Sequence, residues 1–337
     1  MQERQKYRML MWIAIILLLI VAMISMFIGR YTLSFPEIMT EVLHDNGRHC
    51  LSAGFSVICN LRLPRIIAVM MVGAGLSVAG VTYQAVLRNA LASPDVLGTS
   101  SAAAFGAALG ILLGFPLQLS AFSSFFFGIV SLLCVMGLCY FKKNNGELTT
   151  ILSGIIVASV FMSFVSIIKY VADPQDELPA IVFWLMGSFA SLVKDQVYGL
   201  IPLYIICYLV IYKLRWKINV LSLGNDEAKI AGMNPQLLNT VLLITASILV
   251  AASVTIAGVV GWVGLVIPHL VRTLVGYNHS KLIPASAVCG ALFLLVIDNL
   301  ARTLTYAEIP IGILTALVGA PLFAVLFIMS NRYDRSE

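Results

Sequence analysis

Residues 61–98 read LRLPRIIAVMMVGAGLSVAGVTYQAVLRNALASPDVLG. Arg62 and Arg65 flank Pro64, and about twenty apolar or small residues follow, enough helix to cross a hydrocarbon layer of about 30 Å. The polar turn Arg88-Asn89-Ala90-Leu91-Ala92-Ser93-Pro94-Asp95 closes the run. Proline suits a first helical turn because its missing N–H would be unpaired there anyway, so a helix is expected to begin near residue 64. Charged ends around an apolar middle make this a membrane-spanning segment.

The rest of the chain agrees. It is 60% hydrophobic and 11% charged, with a mean hydropathy of +0.97, whereas soluble domains carry about 25% charged residues. The net charge of +5 is not gathered into a basic run with interleaved aromatics, so no nucleic-acid partner is indicated. Met9 to Ile28 lacks a small-residue cleavage site and reads as a retained first helix. Ten spans are expected, near 9–29, 64–86, 96–114, 117–141, 147–171, 196–213, 236–257, 260–276, 282–304 and 310–330. The reading is an all-α polytopic membrane protein, one transmembrane domain over 1–337. With an inside N-terminus, only Arg30, Arg48, Arg62, Arg65, Lys169, Lys194 and Arg302 of the 21 Lys and Arg fall outside, so both termini are expected to be cytoplasmic. Ser77-Val78-Ala79-Gly80-Val81 echoes Thr255-Ile256-Ala257-Gly258-Val259, a weak repeat that would be inverted. Gly106, Gly110 and Gly114, and Gly154 with Ala158, form small-residue faces suited to close helix packing.

Enzyme signatures are missing. There is no G-x-x-x-x-G-K-[ST] loop to cradle phosphate, no H-E-x-x-H and no cysteine quartet with zinc spacing. The chain is therefore expected not to be an enzyme and to hold no cofactor. His44, His49 and Cys50 share an expected external loop that reads either as solvated or as a metal site, and Cys50 and Cys59 can pair or stay free. Cys134, Cys139, Cys207 and Cys289 read as packing residues. Ser153, Ser159 and Ser163 are uncharged hydroxyls available to a substrate path. Asp298 and Arg302 stand four apart on one span and can pair on one helix face.

The loop 214–235 reads LRWKINVLSLGNDEAKIAGMNP. Asn225, Asp226 and Glu227 can open a short helix and Gly232 can end it. Such a helix suits docking on a cytosolic partner; the other reading is a solvated connector.

The 61–98 stretch resembles the signature of the membrane permease subunits of ABC importers for iron chelates, haem and cobalamin, with Ala90 where that family usually has proline. Phe183–Ser188 (FWLMGS), Gly261–Arg272 (GWVGLVIPHLVR) and Glu308–Pro321 (EIPIGILTALVGAP) resemble the same family, and the matches run from about 61 to 323. The resemblance implies a two-fold dimer of ten-helix subunits in the bacterial inner membrane. Two cytosolic ATPase subunits, which carry the ATP and Mg, would dock inside and a periplasmic substrate-binding protein outside. Leu221, Leu223, Gly224, Ala228 and Gly232 match the coupling loop that seats in the ATPase. Asn89 and Leu91 match the cytoplasmic gate turn, with Thr149 and Thr150 as candidates for a second gate layer. Arg62, Arg65 and Arg302 match arginines that receive carboxylates from the binding protein. His269, beside Pro268, reads as structural or as a proton relay. As a whole the chain is most similar to the molybdate/tungstate branch; the family default is a metal chelate. The alternative is an ion-gradient-driven secondary transporter, which usually keeps a coupling acid or base at midplane. Apart from Glu147 at the very start of its span, Asp298 is the one acid expected inside a span, near its end and beside Arg302.

Overall fold

A computed structural model of the chain describes residues 2–29, 56–142 and 146–333. All ten expected spans are helices: α1 (Gln2–Phe27), α2 (Leu63–Val86), α3 (Thr99–Leu112), α4 (Leu117–Phe141), α5 (Glu147–Val171), α7 (Lys194–Leu221), α9 (Pro235–Ala257), α10 (Val263–Val275), α11 (His279–Thr303) and α12 (Ile311–Tyr333). Two shorter helices, α6 (Glu177–Leu185) and α8 (Asn225–Ile230), lie between spans. Among the described residues, seven helices are long and apolar enough to cross a membrane, while α3, α10 and the apolar part of α12 are shorter.

Three boundaries depart from expectation. Pro64 stands in the first turn of α2, as expected, but the helix does not start afresh there. The chain is already helical at Ser56 and passes through a π turn, Ile58–Arg62, in which the Leu63 N–H bonds to the Ile58 carbonyl. The wider turn is a known way for a helix to accommodate a residue that cannot continue the usual ladder. Second, α7 runs to Leu221, well beyond 213, because the amphipathic Leu214–Lys217 segment extends it; Arg215 folds back with its guanidinium 3.9 Å from the Tyr212 ring centre. Third, α10 starts only at Val263, because Gly258 (φ 67°) and Trp262 (φ 70°) take left-handed conformations that break the helix. Gly80 and Gly258, partners in the weak repeat, thus serve differently: Gly80 lies inside α2, and Gly258 closes α9.

The centre of the bundle is α2, packed against α7, α9, α10 and α11. Every residue from Gly75 to Val86 is buried. Glycine makes this possible. A β-carbon at Gly73 would lie 2.3 Å from the Gly290 carbonyl oxygen, and one at Gly80 would lie 1.8 Å from that of Gly264. Backbones in lipid associate through this kind of close approach rather than through a hydrophobic drive. Of the expected small-residue faces, Gly106 and Gly110 press on Ser123 and Ser120 of α4. Gly114 instead sits past the end of α3 with φ +66° and open space around it.

The chain reverses so that two ends are polar. The loop end gathers residues 87–98, the start of α5, and α8; the arginine end gathers Arg62, Arg65, Asp298, Arg302 and Glu308. The stretch bearing His44, His49 and Cys50, and with it any Cys50–Cys59 pairing, lies outside the described residues.

Candidate functional site

At the loop end, α2 stops at a left-handed residue. Arg88 has φ 45°, and the Asn89 N–H reaches back 3.1 Å to the Gln84 carbonyl, the closing bond of a helix C-cap. Asn89 Oδ1 then accepts the Leu91 N–H at 2.9 Å, which bends the chain and leaves Leu91 exposed. Pro94–Leu97 forms one 3₁₀ turn, seated on α5 where Gly154 has no side chain: a β-carbon there would lie 2.0 Å from the Val96 carbonyl oxygen. Thr149 and Thr150 are buried at the start of α5, and the Thr150 hydroxyl donates to the Gly146 carbonyl at 3.3 Å. Ser153 also faces inward, whereas Ser159 and Ser163 lie on an exposed face and donate to carbonyls one turn back, at 2.8 and 2.9 Å.

The short helix forms as its sequence suggests. Asn225 opens α8, and Gly232, at φ +75°, ends it while the Met233 N–H bonds to the Ala228 carbonyl at 2.9 Å. Its two faces differ. Ala228 and the preceding Leu221 are buried, while Leu223 and Ile230 are 72% and 88% exposed. Ile230 escaped the sequence reading; its i+2 spacing from Ala228, which puts it on another side of the helix, was the available signal. A β-carbon at Gly224 would meet only the flexible Glu227 carboxylate. Lys229, 2.9 Å from Asp226, holds that carboxyl below its ordinary pKa. Between α8, the start of α9 and the ends of α2, α4 and α5 lies a cleft of about 810 Å³, lined by Glu147, Thr150, Asn225 and Lys229 among others. Glu147 makes an ion pair with Arg88 and accepts from Asn225 Nδ2 at 3.4 Å.

At the arginine end, the three arginines singled out in the sequence do come together, around carboxylates of their own chain. Arg65 donates through Nε and Nη2 to Asp298 Oδ1 at 3.1 and 2.8 Å, and through Nη1 and Nη2 to Glu308 at 3.0 and 2.9 Å. Arg302 Nε lies 3.0 Å from Asp298 Oδ2, as the four-residue spacing suggested. Arg302 also donates to the Ile28 carbonyl at 3.0 Å, and Arg62 to that of Met26, so both satisfy carbonyls at the end of α1 that no helical N–H can reach. Asp298 is wholly buried, and a buried carboxylate needs this many donors. Glu308 had been quoted only as part of a motif; the demand of three clustered guanidiniums for a second acid was the signal for it. Arg62, Arg65, Arg302 and Glu308 line a smaller cleft of about 280 Å³.

Between the ends, the other motif stretches meet. The Ile311 N–H bonds to the Gly187 carbonyl and the Ser188 N–H to that of Ala257, both at 2.8 Å. His269 packs edge-on against Phe323, with ring centres 5.6 Å apart.

Comparison with known proteins accounts for these features together. Residues 17–329 match the FecCD transport family. The molybdate import system permease protein MolB of Haemophilus influenzae is 41% identical over 324 residues, covering 96% of each chain. The hemin transport system permease protein HmuU of Yersinia pestis is 34% identical over 343 residues, covering all of both. A solved structure described as an inward-facing conformation of a transporter assigned to the metal-chelate ABC type superposes with a TM-score of 0.86 at 41% identity, covering 95% of this chain and 98% of that one. An apolar helical bundle with a glycine-tight centre, in register with these permeases over nearly its whole length, leaves the ion-gradient alternative without support: the chain belongs to the FecCD transport family and is the membrane permease of an ABC importer.

Proposed function

We propose that this permease works as a two-fold pair in the bacterial inner membrane, with both termini cytoplasmic. ATPase subunits seat against α8, a periplasmic binding protein docks on the arginine end, and the cargo is an oxyanion of the molybdate class. The observation that carries the reading is the two-faced segment around α8: Leu221 and Ala228 are buried against the bundle while Leu223 and Ile230 are exposed, and Asn225 reaches Glu147, the partner of Arg88 next to the gate turn at Asn89 and Leu91. Exposed apolar side chains on a polar short helix call for a cover, and a groove in a cytosolic partner supplies one. ATP and Mg belong to that partner. Gly224 and Gly232 give the loop the room to enter the groove, and Thr149 and Thr150 back the gate turn from α5. At the far end, Arg62, Arg65 and Arg302 gather around Asp298 and Glu308, and charge-assisted bonds from such guanidiniums suit a carboxylate of the docking protein. The exposed Ser159–Ser163 face of α5 supplies hydroxyls to the path along the pair's axis.

The cargo assignment is supported by the likeness to the Haemophilus molybdate permease. The test is uptake by vesicles holding the permease, its ATPase subunits and its binding protein. Radiolabelled molybdate is expected to accumulate with ATP and to be blocked by excess tungstate. Accumulation of a ferric siderophore but not molybdate would move the cargo to the chelate class.

A further inference from the structure

We propose that Glu147 is the link through which α8 sets the conformation of the gate turn; this rests on the reading of α8 as the ATPase seat. One carboxylate oxygen, Glu147 Oε1, is shared by two donors from different segments: Arg88 Nη2, one residue before Asn89, and Asn225 Nδ2, the first residue of α8. A displacement of α8 therefore acts on the same atom that holds the gate turn.

A second observation points the same way. Arg88 occupies the left-handed position just past the end of α2 (φ 45°), which glycine fills without strain and other residues fill at a cost. The backbone gains nothing from an arginine there, so the position needs its side chain, and that side chain goes to Glu147. The pair is 36% and 26% exposed, so it adds little to stability and can open and re-form as the ends move. The plainer role for Glu147 is an acid favouring a helix N-terminus. Such a role needs no arginine at 88, and reversing the pair would abolish it rather than preserve it.

The experiment places a reporter cysteine by Leu91→Cys in a chain whose native cysteines are replaced. This chain is assembled with its ATPase subunits, and maleimide labelling is timed with and without ATP. ATP is expected to change the labelling rate in the parent. Glu147→Gln and Arg88→Gly should each shrink that response at least about fivefold while ATP hydrolysis continues. The paired reversal Arg88→Glu with Glu147→Arg should restore it. A full response in Glu147→Gln, or no recovery in the reversal, overturns the link. Leu223→Glu with Ile230→Glu separates the two readings. If ATPase subunits still assemble on that variant, the seat itself is wrong and the link falls with it. If assembly is lost there yet Glu147→Gln responds fully, the link alone falls.

Discussion

The two polar ends of this bundle are built from the same chemistry and tuned oppositely. At the arginine end Asp298 is fully buried, shared between Arg65 and Arg302, and tied to α1, α2 and α11. At the loop end the Arg88–Glu147 pair is about a third exposed and touches one further donor, Asn225. Burial decides the difference. A buried ion pair is costly to break because the survivor is left uncompensated, whereas an exposed one exchanges with water at little cost. The first arrangement fixes helices to one another; the second suits parts that must move while the helices stay packed.

The comparison can be broken first at its strongest point. Asp298→Ala removes the acid shared by Arg65 and Arg302, leaving Arg302 without its carboxylate, and should cost about 3–5 kcal/mol, read as a large fall in the thermal unfolding midpoint in detergent. A loss comparable to that of a surface substitution would mean that the cluster is not a clamp. Ala228→Leu comes next. Its position has no exposed surface, so the added volume should cost about 1–3 kcal/mol and lift α8 from the bundle, which faster proteolysis of the 222–234 loop would report. The smallest effect belongs to Arg88→Gly, where a lost exposed pair is offset by relief of the left-handed backbone. Its unfolding free energy should stay within about 1 kcal/mol of the parent's. A loss as large as that of Asp298→Ala would erase the distinction between the ends.

Much of this was legible in the sequence, because membrane helices announce themselves by length and hydropathy. The ten expected segments all form helices, seven of them long and apolar enough to cross, and the short helix Asn225–Ile230 was read from its opening polar residues and the glycine that follows it. What failed to show was set by contacts distant in the chain. The break at Trp262 and the pairing of Arg65 with Glu308, 243 residues away, have no local signature. Gathering Arg62, Arg65 and Arg302 at one end was readable from the motifs. Their engagement with Asp298, Glu308 and the end of α1 was not, since it depends on which helices lie beside α2. Glu147 was not singled out in the sequence, because its distinction lies in Arg88 and Asn225 meeting at the same oxygen.

The claim that the two ends serve different partners is tested most directly by a crossed binding measurement on the permease in lipid nanodiscs. The affinity of the ATPase subunits and of the binding protein would be measured for Leu223→Glu with Ile230→Glu, and separately for Arg62→Glu, which leaves the Asp298 ion pairs in place. The loop-end variant should lose the ATPase subunits and keep the binding protein. The arginine-end variant should do the reverse, with the greatest loss at low salt, where charge attraction is least screened. Loss of the ATPase subunits from the arginine-end variant, with the loop-end variant still holding them, would contradict the assignment of both ends.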